Sequence, residues 1–226
     1  MAILYIIGTP IGNLGDISFR GVEILKTVDL VACEDTRRTL KLLSHLGIQV
    51  KLLSCRARNE QFAAGKVIAV LNEGKTVAYA SDAGTPALSD PGAILVREAH
   101  EAGHEVIPIP GPSAFASLVS VAGGMDKTVV FEGFLSPKAG RRRSRLKELL
   151  ALKAAFVVYE SPFRVLKLLD DLAEFDKERY ICIGREMTKM HEEYLRGSVE
   201  RICQILTEKA DQLGEFSIYV SGKKTN

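Results

Sequence analysis

The 226-residue sequence has no CxxC pair, no apolar run long enough to cross a bilayer and almost no net charge. Its four cysteines (Cys33, Cys55, Cys182 and Cys203) are far apart in the chain, which excludes the usual zinc spacings and leaves no metal site to assign. Cys33 and Cys182 sit in apolar runs and read as buried thiols of a reduced, cytoplasmic protein. The opening AILYII has no basic lead and is too short for a signal-peptide core. Without a spanning stretch the chain is expected to be soluble. Thirty basic against twenty-eight acidic residues give a net charge of +2, so no global field points to nucleic acid or membrane. The local balance differs. From Pro137 to Lys153 there are seven Lys or Arg (Lys138, Arg141, Arg142, Arg143, Arg145, Lys147, Lys153) against one acid, Glu148.

What is present is a repeated alternation of short β-branched runs and helical patterns. ILYIIG, DLVACE, VKLLS, TVAYA and EVIPI read as strands. Between them lie SFRGVEILKTV, TRRTLKLLSHLG, NEQFAAGKVIAVLNEG and a segment over 91–102, which read as helices. Strand–helix units of this length predict an α/β fold with a mainly parallel first sheet covered on both faces. PGPSAFASLVSVAGGM closes this half with a helix ending in two glycines. TVVFEGFL, AAFVVYE, RYICIGRE, EEYLRGSV and GEFSIYVSG supply a second set of strands, with helices over 137–153, 162–174 and between the last two runs. The expected boundary falls near Gly123–Met125, giving an N-terminal αβα domain over 1–123 and a C-terminal one over 124–226.

In doubly wound sheets, ligands bind beyond the carboxyl ends of the strands. Here those ends carry GTPIGNLGD, EDTRRT, SDAGTPALSDPG and PGPSA, then YESPFR and REMTKMHEE in the second half. GTPIGN matches neither G-x-G-x-x-G nor the Walker spacing, and its plain reading is a tight turn. EDTRR reads equally as a helix start, with acids complementing the dipole and Thr36 as a cap. Asp90 before Pro91 and Gly92 reads as an N-cap with proline at the first helical position, so Asp82 is preferred as a ligand contact. Two acids in so tight a glycine- and proline-rich loop do not suit phosphate. The loop is built for a neutral or cationic ligand.

Taken in order, LYIIGTPIGNLGD, EDTRRTLKLLSHLGI, SDAGTPALSDPG, PGPSA, GFLSPK, YESPFR and REMTKMHEE resemble the bacterial small-subunit ribosomal RNA (cytidine-2′-O)-methyltransferases of the tetrapyrrole-methylase superfamily. The likeness runs from about Ile3 to about Gly222. It implies two αβα domains, a mixed second sheet, a cleft between the domains holding S-adenosylmethionine (AdoMet), and a cytoplasmic homodimer acting on ribosomal RNA, as the assembled small subunit. By resemblance the cofactor contacts are Thr9, Pro10, Asp82, Thr85, Ser113, Ala114, Tyr159 and Met187. Many relatives extend beyond the GEF strand, whereas this sequence ends at Asn226, which implies greater reliance on the basic segment. Phe163 stands where many relatives have histidine, which argues against a catalytic role there.

Methyl transfer from a sulfonium to a ribose hydroxyl needs alignment and a base. Candidate groups are Glu186 and Lys189, then Asp35, with Glu160 also in reach of the same strand ends. A lysine beside a sulfonium would have its pKa lowered. The alternatives are that Lys189 only holds a phosphate and that Glu186 only pairs with Arg185. RNA binding is expected from Arg37, Arg38, Arg141, Arg142, Arg143, Arg145 and Arg164, since arginine matches phosphate geometry. Alanine at Arg141, Arg142 and Arg143 together is expected to spare AdoMet binding and abolish RNA methylation. Phe131 and Phe134 read as core, so specificity is expected from ribosome shape rather than base stacking. Two rival readings keep the fold: a methyltransferase for a tetrapyrrole or other small metabolite, and a non-catalytic RNA-binding assembly factor.

Overall fold

A computed structural model of the chain describes residues 2–209 and 212–222. It divides into two compact units, Met1–Ser113 and Ala114–Asn226.

In the first unit the apolar runs become β1 (Ile3–Ile7), β2 (Leu30–Cys33), β3 (Lys51–Ser54), β4 (Val77–Ala80) and β5 (Glu105–Ile109). They pair in the order β3-β2-β4-β1-β5, every pair parallel. Helices α1 (Phe19–Thr27) and α2 (Thr36–His45) bury Leu25 and Leu43 against Ile7 and Val31 on one face. On the other face α3 (Glu60–Asn72) and α4 (Ala93–Glu101) bury Val67, Leu71, Leu95 and Ala99 against Leu4 and Val77. Residues of opposite parity in each strand feed the two cores, as a two-sided parallel sheet requires. The chain leaves β1 toward α1 on one face and leaves β4 toward α4 on the other. The adjacent β1 and β4 therefore form a topological switch point, where the loops beyond their carboxyl ends flank a crevice.

The start of α4 corrects the sequence reading. Asp90 is not its cap; the helix begins at Ala93 after Gly92, whose φ is +132°. A carboxylate from another helix does the capping. The Oε1 of the buried Glu60 accepts from the backbone N–H groups of Gly92 (2.9 Å), Ile94 (2.8 Å) and Leu95 (3.2 Å). Three otherwise orphaned donors are thereby satisfied at the positive end of the dipole.

The second unit opens with α5 (Ala114–Ala122). It continues through β6 (Val129–Phe134), α6 (Ala139–Ala151), β7 (Ala155–Glu160), α7 (Val165–Asp176), β8 (Tyr180–Arg185), β9 (Glu193–Ser198), α8 (Val199–Glu208) and β10 (Phe216–Val220). The sheet order is β6-β7-β10-β8-β9; β6 and β7 are parallel and the remaining pairs antiparallel. Leu146 and Leu149 of α6, Leu168 and Leu172 of α7, and Ile202 and Leu206 of α8 share one core with Phe156, Ile183 and Ile218.

The sequence reading placed α5 in the first half, with the boundary after it. The structure places it with the second unit because its partners are there. The Tyr180 hydroxyl donates to the Ala122 carbonyl at 2.6 Å, and Arg196 Nε donates to the Val121 carbonyl at 3.1 Å. Gly184 lets the helix close on the sheet, since a Cβ there would stand 3.3 Å from Leu118 Cδ1.

Candidate functional site

The four loops beyond β1, β2, β4 and β5 are stitched together at one edge of the parallel sheet. Thr9 and Gly84 form an antiparallel bridge, each amide donating to the other's carbonyl at 2.9 and 3.0 Å. The Thr9 hydroxyl, buried, donates to the Ser81 carbonyl at 3.2 Å. Gly8 donates to the Ile109 carbonyl, and a Cβ on Gly111 would lie 2.4 Å from the Gly8 oxygen. GTPIG and PGPSA thus cross with backbone on backbone, a closeness only glycine permits. Thr85 Oγ1 reaches the Pro112 carbonyl at 3.4 Å, which ties SDAGTP to the same crossing. Asp82 joins the β2 loop: its Oδ1 accepts from the Asp35 amide at 2.8 Å and its Oδ2 pairs with Arg38 at 3.4 Å.

Between the β1 and β4 loops and α2 lies a pocket of about 190 Å³ lined by Thr9, Pro10, Ser81, Asp82, Arg38 and Lys41 among others. Three residues expected from the sequence (Thr9, Pro10 and Asp82) meet there; Thr85 lies on the adjoining turn. Ser113 precedes α5, and Ala114 is the first residue of that helix. Asp35 is the N-cap of α2, its side chain accepting from the Arg37 amide, so the cap is Asp35 rather than Thr36. The Arg37 side chain, together with that amide, holds the Asp35 carboxyl well below the usual carboxylate range. Asp90 behaves oppositely. Burial, then the nearby Glu34 and Asp82, push it up to about 6. Glu34 is also raised, first by burial and then by Asp82. The sequence reading took Asp90 only as a cap and did not single out Glu34, because the compression of the three carboxylates arises from strand order rather than spacing.

In the second unit, β6, β7 and β8 end at one edge of the mixed sheet, where β10 begins. Tyr159 in β7 stands edge-on to Phe131 and Phe134. Met187 is buried over Gly184, where a Cβ would come within 2.5 Å of its sulfur. It is flanked by two non-glycine residues with left-handed backbone, Glu186 (φ +49°) and Thr188 (φ +68°). Such conformations cost on the order of 1–3 kcal/mol each and persist where surrounding contacts enforce them. Here Glu186 is clamped: its Oε1 accepts from Lys189 Nζ at 2.9 Å and from the Glu215 amide at 2.8 Å, and Lys189 also reaches Glu215 Oε2 at 3.0 Å. Burial works to raise the Glu186 carboxyl, but the bonds from Lys189 and Glu215 outweigh it and hold the carboxyl below its ordinary value. Burial likewise works to lower Lys189, and its two carboxylate partners leave it raised. The expected depressed lysine is therefore replaced by a firm ammonium–carboxylate pair. Glu160 is spent locally, accepting from the Ser161 amide at 2.7 Å and pairing with Arg164 at 2.6 Å.

The basic segment is largely neutralised. Arg142 points inward, buried, with Nε 2.7 Å from Asp171 Oδ2. Arg143 pairs with Asp171 at 2.9 Å and with Glu174, and Arg145 with Glu132 at 2.7 Å and Glu148 at 2.8 Å. For the buried Arg142 the expectation of facing RNA gives way to a structural role; Arg143 and Arg145, partly exposed, also have their charges matched, joining α6 to α7 and β6. Arg141 differs: it is exposed and has no ion-pair or hydrogen-bond partner among the described residues. Arg37 and Arg38 are mostly exposed although paired with Asp35 and Asp82.

A family profile described as Tetrapyrrole (Corrin/Porphyrin) Methylases aligns with residues 3–203. The chain belongs to this methylase family. Among solved tetrapyrrole methylases, the cobalamin-biosynthetic cobalt precorrin-4 methyltransferase CbiF superposes with a TM-score of 0.69 at 18% identity, covering 97% of this chain and 94% of that one. Uroporphyrin-III-C-methyltransferase from Thermus thermophilus superposes at 0.67 and 16% identity, with the same coverages. At these identities the likeness concerns the fold. Sequence relatives are much nearer. Proteins named "Ribosomal RNA small subunit methyltransferase I" are 46% identical in Borrelia garinii, over 97% of this chain and 98% of the relative. The Thermotoga maritima protein of that name is 45% identical over 99% and 100%. That of Escherichia coli O157:H7 is 42% identical over 98% of this chain and 78% of the relative.

Proposed function

We propose that this chain is an AdoMet-dependent methyltransferase that methylates the 2′-oxygen of a cytidine ribose in small-subunit ribosomal RNA. The observation that carries this reading is identity of 42–46% over nearly the whole chain to proteins named as small-subunit ribosomal RNA methyltransferases. The cytidine 2′-oxygen comes from the family resemblance of the sequence motifs. It is supported by the convergence of the GTPIG, EDTRR, SDAGTP and PGPSA loops at one sheet edge. The cellular setting is then the cytoplasm, in keeping with the lack, among the described residues, of any helix long and apolar enough to cross a membrane. The assembled subunit is the proposed substrate and a homodimer the proposed working form.

The first-unit pocket suits the donor in charge. Asp82, paired with Arg38, and Lys41 all line it, so its wall presents both signs of charge to a ligand that carries a cationic centre and a carboxylate. Thr9, Pro10 and Asp82, which line the pocket, are assigned to hold the donor; Thr85, Ser113, Ala114, Tyr159 and Met187 enter by family resemblance alone. When bound, AdoMet supplies a methyl carbon on a positively charged sulfur. The chain's task is to fix the ribose oxygen in line with it, and alignment alone can remove up to roughly 7–11 kcal/mol of barrier. A base adds about 10²–10⁴-fold. With Lys189 held as ammonium and Glu186 as carboxylate, Glu186 is the member able to accept the ribose proton and Lys189 the member able to hold a phosphate. Asp35, locked to Arg37, is assigned to position α2. Arg37, Arg38, Arg141 and Arg164 are the arginines assigned to RNA.

The test is incubation of methyl-labelled AdoMet with unmodified small subunits, followed by alkaline hydrolysis. A 2′-O-methyl group prevents attack on the adjoining phosphate, so a labelled, alkali-resistant dinucleotide is the expected product. Label recovered on a base refutes the ribose assignment. Label recovered only on an added tetrapyrrole refutes RNA as the acceptor.

A further inference from the structure

The second unit holds a row of aromatic rings that folding does not explain. Phe131 and Phe134 are three residues apart in β6, so a regular strand would point them to opposite faces. The register prevents this. Phe131 pairs with Val157 and Phe134 with Tyr159, and the shift between them falls between Phe131 and Gly133, whose φ is +71°. Val157 and Tyr159 share a face of β7, so the bulge swings Phe134 round to the side of Phe131. The rings then pack edge-to-face: Phe115–Phe131 at 5.2 Å, Phe131–Tyr159 at 5.1 Å and Phe134–Tyr159 at 5.7 Å. Phe134 ends this row 58% exposed. A second ring, Phe163, is 84% exposed four residues beyond Tyr159, and because β6 and β7 are parallel it follows the same sheet edge.

The chain leaving Phe134 carries cations that no described residue neutralises. Lys138 and Arg141 are exposed, and among the described residues neither side chain has a partner, whereas Arg142, Arg143 and Arg145 are all paired. Lys138 also makes no side-chain cap to the first turn of α6. A supported ring face beside unpaired cations is the combination with which proteins hold single-stranded nucleic acid, the ring taking a base and the cations its phosphates. A purely apolar protein partner would not call for the two cations.

Building on the RNA reading above, we propose that Phe134, held edge-on by Tyr159, is a stacking platform for an unpaired base of the RNA substrate, with Lys138 and Arg141 taking flanking phosphates. Sequence reading missed it by assigning the ring to the core. The signal was Gly133, since glycine inside a strand often marks a bulge.

The test compares Phe134→Ala, Phe134→Leu and Phe134→Tyr on unmodified small subunits. Loss of one stacked base is expected to raise the KM for subunits about 5- to 150-fold in Phe134→Ala. The AdoMet Kd should stay within about twofold, the size of effect set by a ring that does not touch the cofactor. Phe134→Tyr restores binding and Phe134→Leu, which keeps bulk without a π face, does not. Thermal unfolding confirms that each variant is folded. An unchanged KM in Phe134→Ala, or full rescue by leucine, overturns the proposal. So does a parallel loss of AdoMet affinity, which would assign the ring to the cofactor's adenine. If the wild type methylates no ribose, the functional reading fails by itself, and filter retention of subunits by wild type and Phe134→Ala still decides the platform.

Discussion

Asp90 keeps its proton nearer to neutrality than an ordinary aspartate does. It is packed behind the SDAGTP turn, and the carboxylates of Glu34 and Asp82 face it from the ends of β2 and β4. Its pKa is pushed up to about 6 from an ordinary 3.8, so the folded state binds the proton more tightly than the unfolded state. Below pH ~4 both states are protonated and the site costs nothing. Between pH ~4 and ~6 the unfolded state loses its proton while the folded state keeps it. A shift of this size corresponds to about 2–3 kcal/mol of stability lost by the time the folded state ionises above pH ~6. Asparagine has the same shape and no such charge. Asp90→Asn should therefore match wild type in thermal unfolding near pH 4 and exceed it by several degrees at pH 8. A difference in Tm that stays constant between these pH values would show that Asp90 is already ionised in the folded protein.

At the scale of elements, α6 and α7 are joined by charge as well as by leucine. Arg142 and Asp171 are both buried and in contact at 2.7 Å, and Arg143 holds the other oxygen of Asp171. Removing one partner of a buried pair leaves the other desolvated, which typically costs 3–5 kcal/mol. Because Arg143 remains, Arg142→Ala is expected at about 3 kcal/mol in urea unfolding, against less than about 0.5 for the exposed Arg141→Ala. Equal stability of the two variants would place Arg142 at the surface. The triple alanine variant suggested by RRRSR alone therefore mixes destabilisation with any loss of RNA contact. This marks where sequence reading ends. The ten strands among the described residues and the parallel first sheet were legible, because β-branched runs and helical spacing report burial directly, while the mixed second sheet came from the family resemblance. The partners of RRRSR were not: Asp171 lies 29 residues from Arg142 and Glu132 13 residues before Arg145. Nor was the cap of α4, supplied by Glu60 from 32 residues upstream. Local pattern names an element; long-range pairing decides which of its charges remain available.

Across the whole molecule, a net charge of +2 supplies no long-range attraction for a polyanion. Beside the paired Arg37, Arg38 and Arg164, affinity for RNA should draw most on the cations the fold leaves uncommitted, and it should carry their number in its salt dependence. Each phosphate neutralised contributes about 0.7 to the slope of log K against log salt on single strands and about 0.9 on duplexes. Lys138→Ala/Arg141→Ala should weaken subunit binding at low salt and flatten that slope by roughly 1.5. Arg143→Gln removes a charge from the same helix, but one already matched by Asp171 and Glu174, so its slope should equal that of wild type. The discriminating measurement is equilibrium binding to small subunits across a salt series for the three proteins. If Arg143→Gln flattens the slope as much as the double variant does, the carboxylates of α7 release their arginine to the RNA, and the division between structural and binding cations drawn from the ion pairs is wrong.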